Sequence, residues 1–181
     1  MKIKLCGLKR IEDIEAVNEA KPDYIGFIFV KKSRRYVSPE MAEQLKQHLN
    51  PDIEAVGVFV NEDIDKVIEQ AKKQVIDVIQ LHGEEDVAYV KGLKEAVDVP
   101  IIKAISMTKP DVRQQIRMWE ISDVDYLLLD SGNGGTGEQF DYKLLQEIGN
   151  LKKQYFLAGG LHPENLENAV DRKSVGRERV F

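Results

Sequence analysis

Seven short apolar runs punctuate the chain: 3–6, 24–29, 55–60, 76–81, 99–105, 126–129 and 155–158. Most are continuous rather than alternating, the pattern of parallel strands covered on both faces. Between them the hydrophobic period lengthens to that of a helix. Ile64, Val67, Ile68, Ala71 and Val75 make one amphipathic stripe, Met41, Ala42, Leu45 and Leu49 a second, and Val112, Ile116 and Trp119 a third. Ser38-Pro39 and His162-Pro163 place proline at a first helical position, Asn61 is positioned to cap the third helix, and Asp141 the sixth. The unit is strand then helix, repeated along the chain with no Pro/Gly/Ser-rich linker. Right-handed crossovers then leave two architectures: an open doubly wound sheet or a (β/α) barrel.

Composition narrows the function classes. The chain has 181 residues and a formal charge of −5, with 26 Lys and Arg against 31 Asp and Glu. That is a single-domain length with a mildly acidic surface, which argues against nucleic acid as partner. One Cys and three His exclude an internal disulfide and a standard zinc set. No apolar run approaches the ~20 residues of a membrane helix, and the N-terminus has no signal-peptide core. The expectation is a soluble cytoplasmic protein without metal, membrane or nucleic-acid partner. Residues 171–181 carry neither a strand run nor a helical stripe and read as a solvated basic tail.

In parallel α/β folds the chemistry sits at the carboxyl ends of strands. The first strand ends in Cys6-Gly7, where the thiol is either a base or nucleophile at the site mouth or a small buried hydrophobe. The second runs into Lys31-Lys32-Ser33-Arg34-Arg35, a binding loop for an anion or a solvated basic loop. The fourth gives Gln80 and His82 on one side, the histidine either a site group or a satisfied structural residue, then Gly83 and the acidic Glu84-Glu85-Asp86 that opens the next helix. The sixth delivers Asp130 after three leucines, where partial burial raises a carboxyl's pKa and suits a general acid. Gly132, Gly134 and Gly137 match G-x-G-x-x-G, but the next strand ends without the acid that a dinucleotide site requires; a lid fits this segment better. Gly159-Gly160 precede a helix and expose backbone N–H groups that can cradle phosphate, or form a plain turn.

Eight segments, in order, resemble the phosphoribosylanthranilate isomerase family: K-L-C-G at 4–7, D-Y-I-G-F-I-F at 23–29, K-S-R-R-Y-V-S-P at 32–39 and V-G-V-F-V-N at 56–61. The others are V-I-Q-L-H-G-E-E at 78–85, L-L-L-D-S at 127–131, G-G-T-G-E-Q-F-D at 134–141 and A-G-G-L-H-P-E-N at 158–165. The resemblance implies an α/β fold of the (β/α)8, or TIM, barrel family and a cofactor-free Amadori rearrangement of N-(5-phosphoribosyl)anthranilate in tryptophan biosynthesis. It implies Cys6 as general base, Asp130 as general acid, Arg35 on the anthranilate carboxylate and Gly159-Gly160 in the phosphate site, with Gln80 and His82 lining the pocket. The family has an eighth strand and helix, whereas about seven βα units are legible here. The expected division is a barrel domain over 1–170 lacking its last unit and a basic tail over 171–181, with weak or no activity. Two alternatives stand beside this reading. One is indole-glycerol-phosphate synthase, another phosphate-binding barrel, with Lys103 as its catalytic lysine; the other is a non-catalytic barrel fragment or assembly partner.

Overall fold

The computed structural model describes residues 2–130 and 151–159. The expectations at Asp141, Gly160, His162-Pro163, the 132–137 glycine segment and the 171–181 tail lie outside the described residues. Seven strands and five helices alternate there. β1 (Lys4–Cys6), α1 (Ile11–Ala20), β2 (Tyr24–Ile28), α2 (Pro39–His48), β3 (Glu54–Phe59) and α3 (Ile64–Lys72) come first. They are followed by β4 (Val78–Leu81), α4 (Val87–Ala96), β5 (Ile101–Ser106), α5 (Val112–Glu120), β6 (Tyr126–Asp130) and β7 (Gln154–Ala158).

The strands pair in parallel in their order along the chain, from β1 to β7. The sheet is curled. Tyr24 on β2 and Phe156 on β7 stand five strands apart in that order, yet their ring centroids are 5.7 Å apart. A flat sheet at about 4.8 Å per strand would separate them by about 24 Å. Curling divides the core in two. Tyr24, Val56, Val78, Ile102, Leu128 and Phe156 fill the inner face. The larger outer core packs Ile25, Phe27, Ile79, Leu81, Ile101, Leu127 and Leu129 under the helices. β1 is covered least, with Leu5 still 40% exposed; among the described residues it pairs only with β2.

Local chemistry fixes the helix ends. Ser38 Oγ accepts from Met41 N at 3.2 Å, with Pro39 in the first turn. Val112, Ile116 and Trp119 are all buried, as their spacing requires, whereas Met41 is exposed and α2 packs through Ala42 and Leu45. The expected cap of α3 moves two residues: Asp63, not Asn61, accepts from Asp65 N at 3.0 Å. Asn61 adopts a left-handed conformation (φ 50°) and faces the fourth loop instead.

At the amino ends of the strands a second regularity appears. Asp23, Asp77 and Asp125 immediately precede β2 or β4 or β6, and each accepts a backbone N–H within one residue of the start of the strand before: Ile3 N at 2.7 Å, Ala55 N at 2.7 Å and Ile101 N at 2.7 Å. Lys46 and Lys94, on the helices between, pair with Asp77 and Asp125. These carboxylates tie odd strands to even ones at the end opposite the site. Asp125→Ala orphans the Ile101 N–H and should cost about 1–3 kcal/mol in urea denaturation. Lys94→Ala, which removes a partly exposed ion pair and a long 3.3 Å bond to Val99 O, should cost less than about 1 kcal/mol; equal losses would mean that the lysine contacts and not the Ile101 backbone bond matter.

Candidate active site

Strand register determines which side chains reach the site. Cys6 is in register with Gly26 and, through it, with inward Val56. Gln80 is level with inward Ile102, and Asp130 lies two residues beyond inward Leu128. Cys6, Gln80, His82 and Asp130 therefore share one phase of the alternation and rise from the inner face to the carboxyl rim.

Cys6 is exposed, which removes the buried-hydrophobe reading. Its thiol lies over Gly26: a Cβ there would sit 2.6 Å from Cys6 Sγ. Gly7 has φ +95°, and a Cβ on it would stand 2.5 Å from Arg35 Cδ. The Cys-Gly pair thus lets the Arg35 side chain lie across the backbone, where its Nη1 donates to Cys6 O at 3.3 Å. The basic loop is pinned at both ends, by Ser33 N on Val30 O at 2.8 Å and by Val37 N on Ile28 O at 3.0 Å. Arg35 forms no salt bridge among the described residues. A guanidinium placed beside a thiol at a strand end is suited to an anionic group.

On the other side of the rim a hydrogen-bonded chain runs from β4 to β6. Gln80 Nε2 lies 2.9 Å from His82 Nδ1, and His82 Nε2 lies 3.2 Å from Asp130 Oδ2. The imidazole reaches across β5, where the inner-face residue is small Ala104. His82 and Asp130 open onto a cavity of about 670 Å³ that extends from the rim to Met118 and Trp119 of α5. Cys6 and Arg35 stand apart from its lining, on the β1–β2 side. Gly159 follows β7 with φ +87°.

The largest departure from the sequence reading is at Glu85 and Lys103. Glu85 does not begin α4, which Asp86 caps by accepting from Tyr89 N at 2.8 Å. It is buried, and its carboxylate accepts from Asn61 N at 2.7 Å, Gly83 N at 3.0 Å and Lys103 Nζ at 2.7 Å. Lys103 shares the outward phase of Leu81 and Leu127, donates also to Gly83 O at 2.7 Å, and stands over the Trp119 ring. Asn61 Oδ1 completes the knot by accepting from Glu84 N at 2.7 Å. Tyr89 donates to Glu62 O at 2.9 Å, and burial pushes its hydroxyl up to about 12, so it remains a donor at neutral pH. The only sequence signal for this knot was a buried-strand lysine and an acid just past His-Gly.

With this geometry in place, comparison with known proteins is decisive. A family model described as N-(5'-phosphoribosyl)anthranilate (PRA) isomerase matches residues 3–177. The chain belongs to that family. It is 40% identical over 175 residues to the N-(5'-phosphoribosyl)anthranilate isomerase of Endomicrobium trichonymphae, covering 94% of this chain and 82% of the relative. The enzyme of Clostridium kluyveri is 41% identical over 170 residues, covering 94% and 81%. Among solved structures, phosphoribosyl anthranilate isomerase from Thermotoga maritima superposes with a TM-score of 0.86 at 32% identity, over 99% of this chain and 86% of that one. Another solved phosphoribosyl anthranilate isomerase, in complex with reduced 1-(o-carboxyphenylamino)-1-deoxyribulose 5-phosphate, gives 0.81 at 32% over 94% and 81%. The fold is the α/β barrel architecture of this family, with seven of its parallel strands described here.

The knot gives a stability prediction. Lys103→Met alone leaves a buried Glu85 charge and should cost about 3–5 kcal/mol, whereas Lys103→Met with Glu85→Gln removes both charges and should cost clearly less. A double-mutant cycle in urea that gave additive losses would show that the two charges are not coupled.

Proposed function

We infer that this chain performs the family reaction, the cofactor-free isomerisation of N-(5'-phosphoribosyl)anthranilate to 1-(2-carboxyphenylamino)-1-deoxyribulose 5-phosphate, a step of tryptophan biosynthesis. The observation that carries the residue roles is the shared inward phase of Cys6 and Asp130 at strand ends on opposite parts of one rim. The reaction moves hydrogen from C2 to C1 and opens a furanose. It needs one acid, one base and no net redox change.

Asp130 protonates the ring oxygen; the C1–O bond breaks, its electrons stay on oxygen, and the anilino nitrogen forms the C=N bond. Cys6 then takes the C2 proton, giving an enol amine that tautomerises to the ketose. The Arg35 fork holds the anthranilate carboxylate beside Cys6, where its Nη1 already reaches the Cys6 carbonyl. Gly159 and Gly160 offer backbone donors to the phosphate. A phosphorylated small molecule as partner, a cytoplasmic setting and the 1–170 barrel with a 171–181 tail belong to the same reading. The synthase alternative loses its lysine: Lys103 is only 3% exposed, on the outer face, and committed to Glu85.

The test is turnover, with the unstable substrate generated in situ by phosphoribosylation of anthranilate. Cys6→Ala and Asp130→Asn should each lower kcat by about 10²–10⁴. Arg35→Ala should chiefly raise KM, by about tenfold or more. Parental kcat in Cys6→Ala or Asp130→Asn would overturn the corresponding role, and a folded parent chain with no turnover would favour the non-catalytic reading.

A further inference from the structure

Gln80 is a polar side chain where a leucine would fit. It lies on the inner face of β4, 2% exposed, and its Oε1 has no hydrogen-bond partner among the described residues. An unsatisfied buried acceptor is a standing cost to the fold. What the residue contributes therefore lies at the other end of its amide, where Nε2 meets His82 Nδ1.

That contact governs the location of one proton. An amide N–H donating to Nδ1 requires a lone pair there, which puts the ring proton on Nε2 and aims it at Asp130 Oδ2. A second ring proton would set two donors face to face. Imidazole is ordinarily a stronger base than aspartate by about 2.6 pKa units. An unassisted His–Asp pair accordingly keeps its proton on the ring, and an aspartate in that state has no proton to deliver.

We propose that Gln80 is a positioning residue that keeps the acid armed: by donating to Nδ1 it holds His82 neutral, as the Nε2–H tautomer, so that the transferable proton stays on Asp130. This rests on Asp130 being the acid of the reaction. His82 Nε2–H meets Asp130 at Oδ2. The same N–H then stabilises the carboxylate left behind. Among the described residues, the other charged groups on the cavity wall are Glu84, Glu85, Asp86, Lys103 and Lys109. Glu85 pairs with Lys103 and Glu84 with Lys109, while Asp86 caps α4. The inner-face neighbours from β5, Ala104 and Ser106, carry no charge.

The first test needs no variant at position 80. With three histidines in the chain, ¹⁵N-histidine NMR resolves each ring, and the signal lost in His82→Gln identifies His82. Nδ1 bare and Nε2 protonated at neutral pH is the expected result; a protonated Nδ1 overturns the proposal whether or not a Gln80 variant folds. The second test is Gln80→Glu, which replaces the donor with an acceptor. Nδ1 should then acquire a proton, and kcat should fall by about tenfold or more with KM changed less than about threefold. Parental kcat in Gln80→Glu, with Asp130→Asn inactive, removes the role of Gln80 alone. Parental kcat in Asp130→Asn removes the acid assignment beneath it.

Discussion

A parallel strand buried on both faces has no room for reactive groups along its length. Apart from Gln80 on β4 and Lys103 on β5, the central strands here are apolar inward against Tyr24, Val56, Ile102, Leu128 and Phe156 and apolar outward against the helices. Polar side chains then stand where the strand runs out. Because all the described strands are parallel and neighbours pair in step, these ends come to one rim. The site is a consequence of that constraint: Cys6, His82 and Asp130 come to the same rim because each is the last inward residue of its strand or the first beyond it. A slip of one residue in any pairing would turn its functional group towards the helices.

The two ends of the sheet are held by different means. At the amino ends, Asp23, Asp77 and Asp125 bind a backbone N–H within one residue of the start of the preceding odd strand, a repeat with a period of two βα units. At the carboxyl ends, the buried Glu85 carboxylate gathers the third and fourth loops and the fifth strand through Asn61 N, Gly83 N and Lys103 Nζ. That knot lies on the outer face, directly behind His82. It fixes the turn from which the imidazole projects without placing its own charges in the site. The Lys103 ammonium and the His82 ring are neighbours in the wall of one cavity, but they belong to opposite faces of the sheet.

Much of this was legible in the residues. Continuous apolar runs located every described strand to within two residues, and the stripes at 64–75 and 112–119 located their helices. Cys6, Gln80, His82 and Asp130 were visible because strand ends are where such folds put chemistry. What the sequence concealed was partnership over distance. Asn61 reads as a helix cap because its type suits one, but its positive φ and its bond to Glu84 N come from a loop 23 residues away. Glu85 reads as the acidic opening of a helix, and only the fold shows a lysine from the next strand beneath it. Gly26 carries no signal of its own in the sequence, yet its missing Cβ is the space occupied by the thiol of Cys6. Pattern gives orientation along one element; it does not give which neighbour shares a carboxylate.

In the proposed reaction Cys6 and Asp130 face one substrate from two parts of the same rim, with Arg35 setting its direction. The most direct measurement is a crystal structure of this chain with reduced 1-(o-carboxyphenylamino)-1-deoxyribulose 5-phosphate, the compound held by a solved relative. The account predicts the aryl carboxylate on the Arg35 guanidinium, the sugar C2 beside Cys6 Sγ, and a sugar oxygen within hydrogen-bond reach of Asp130. A ligand whose C2 lies away from Cys6, or whose carboxylate is bound by a group other than Arg35, would contradict it.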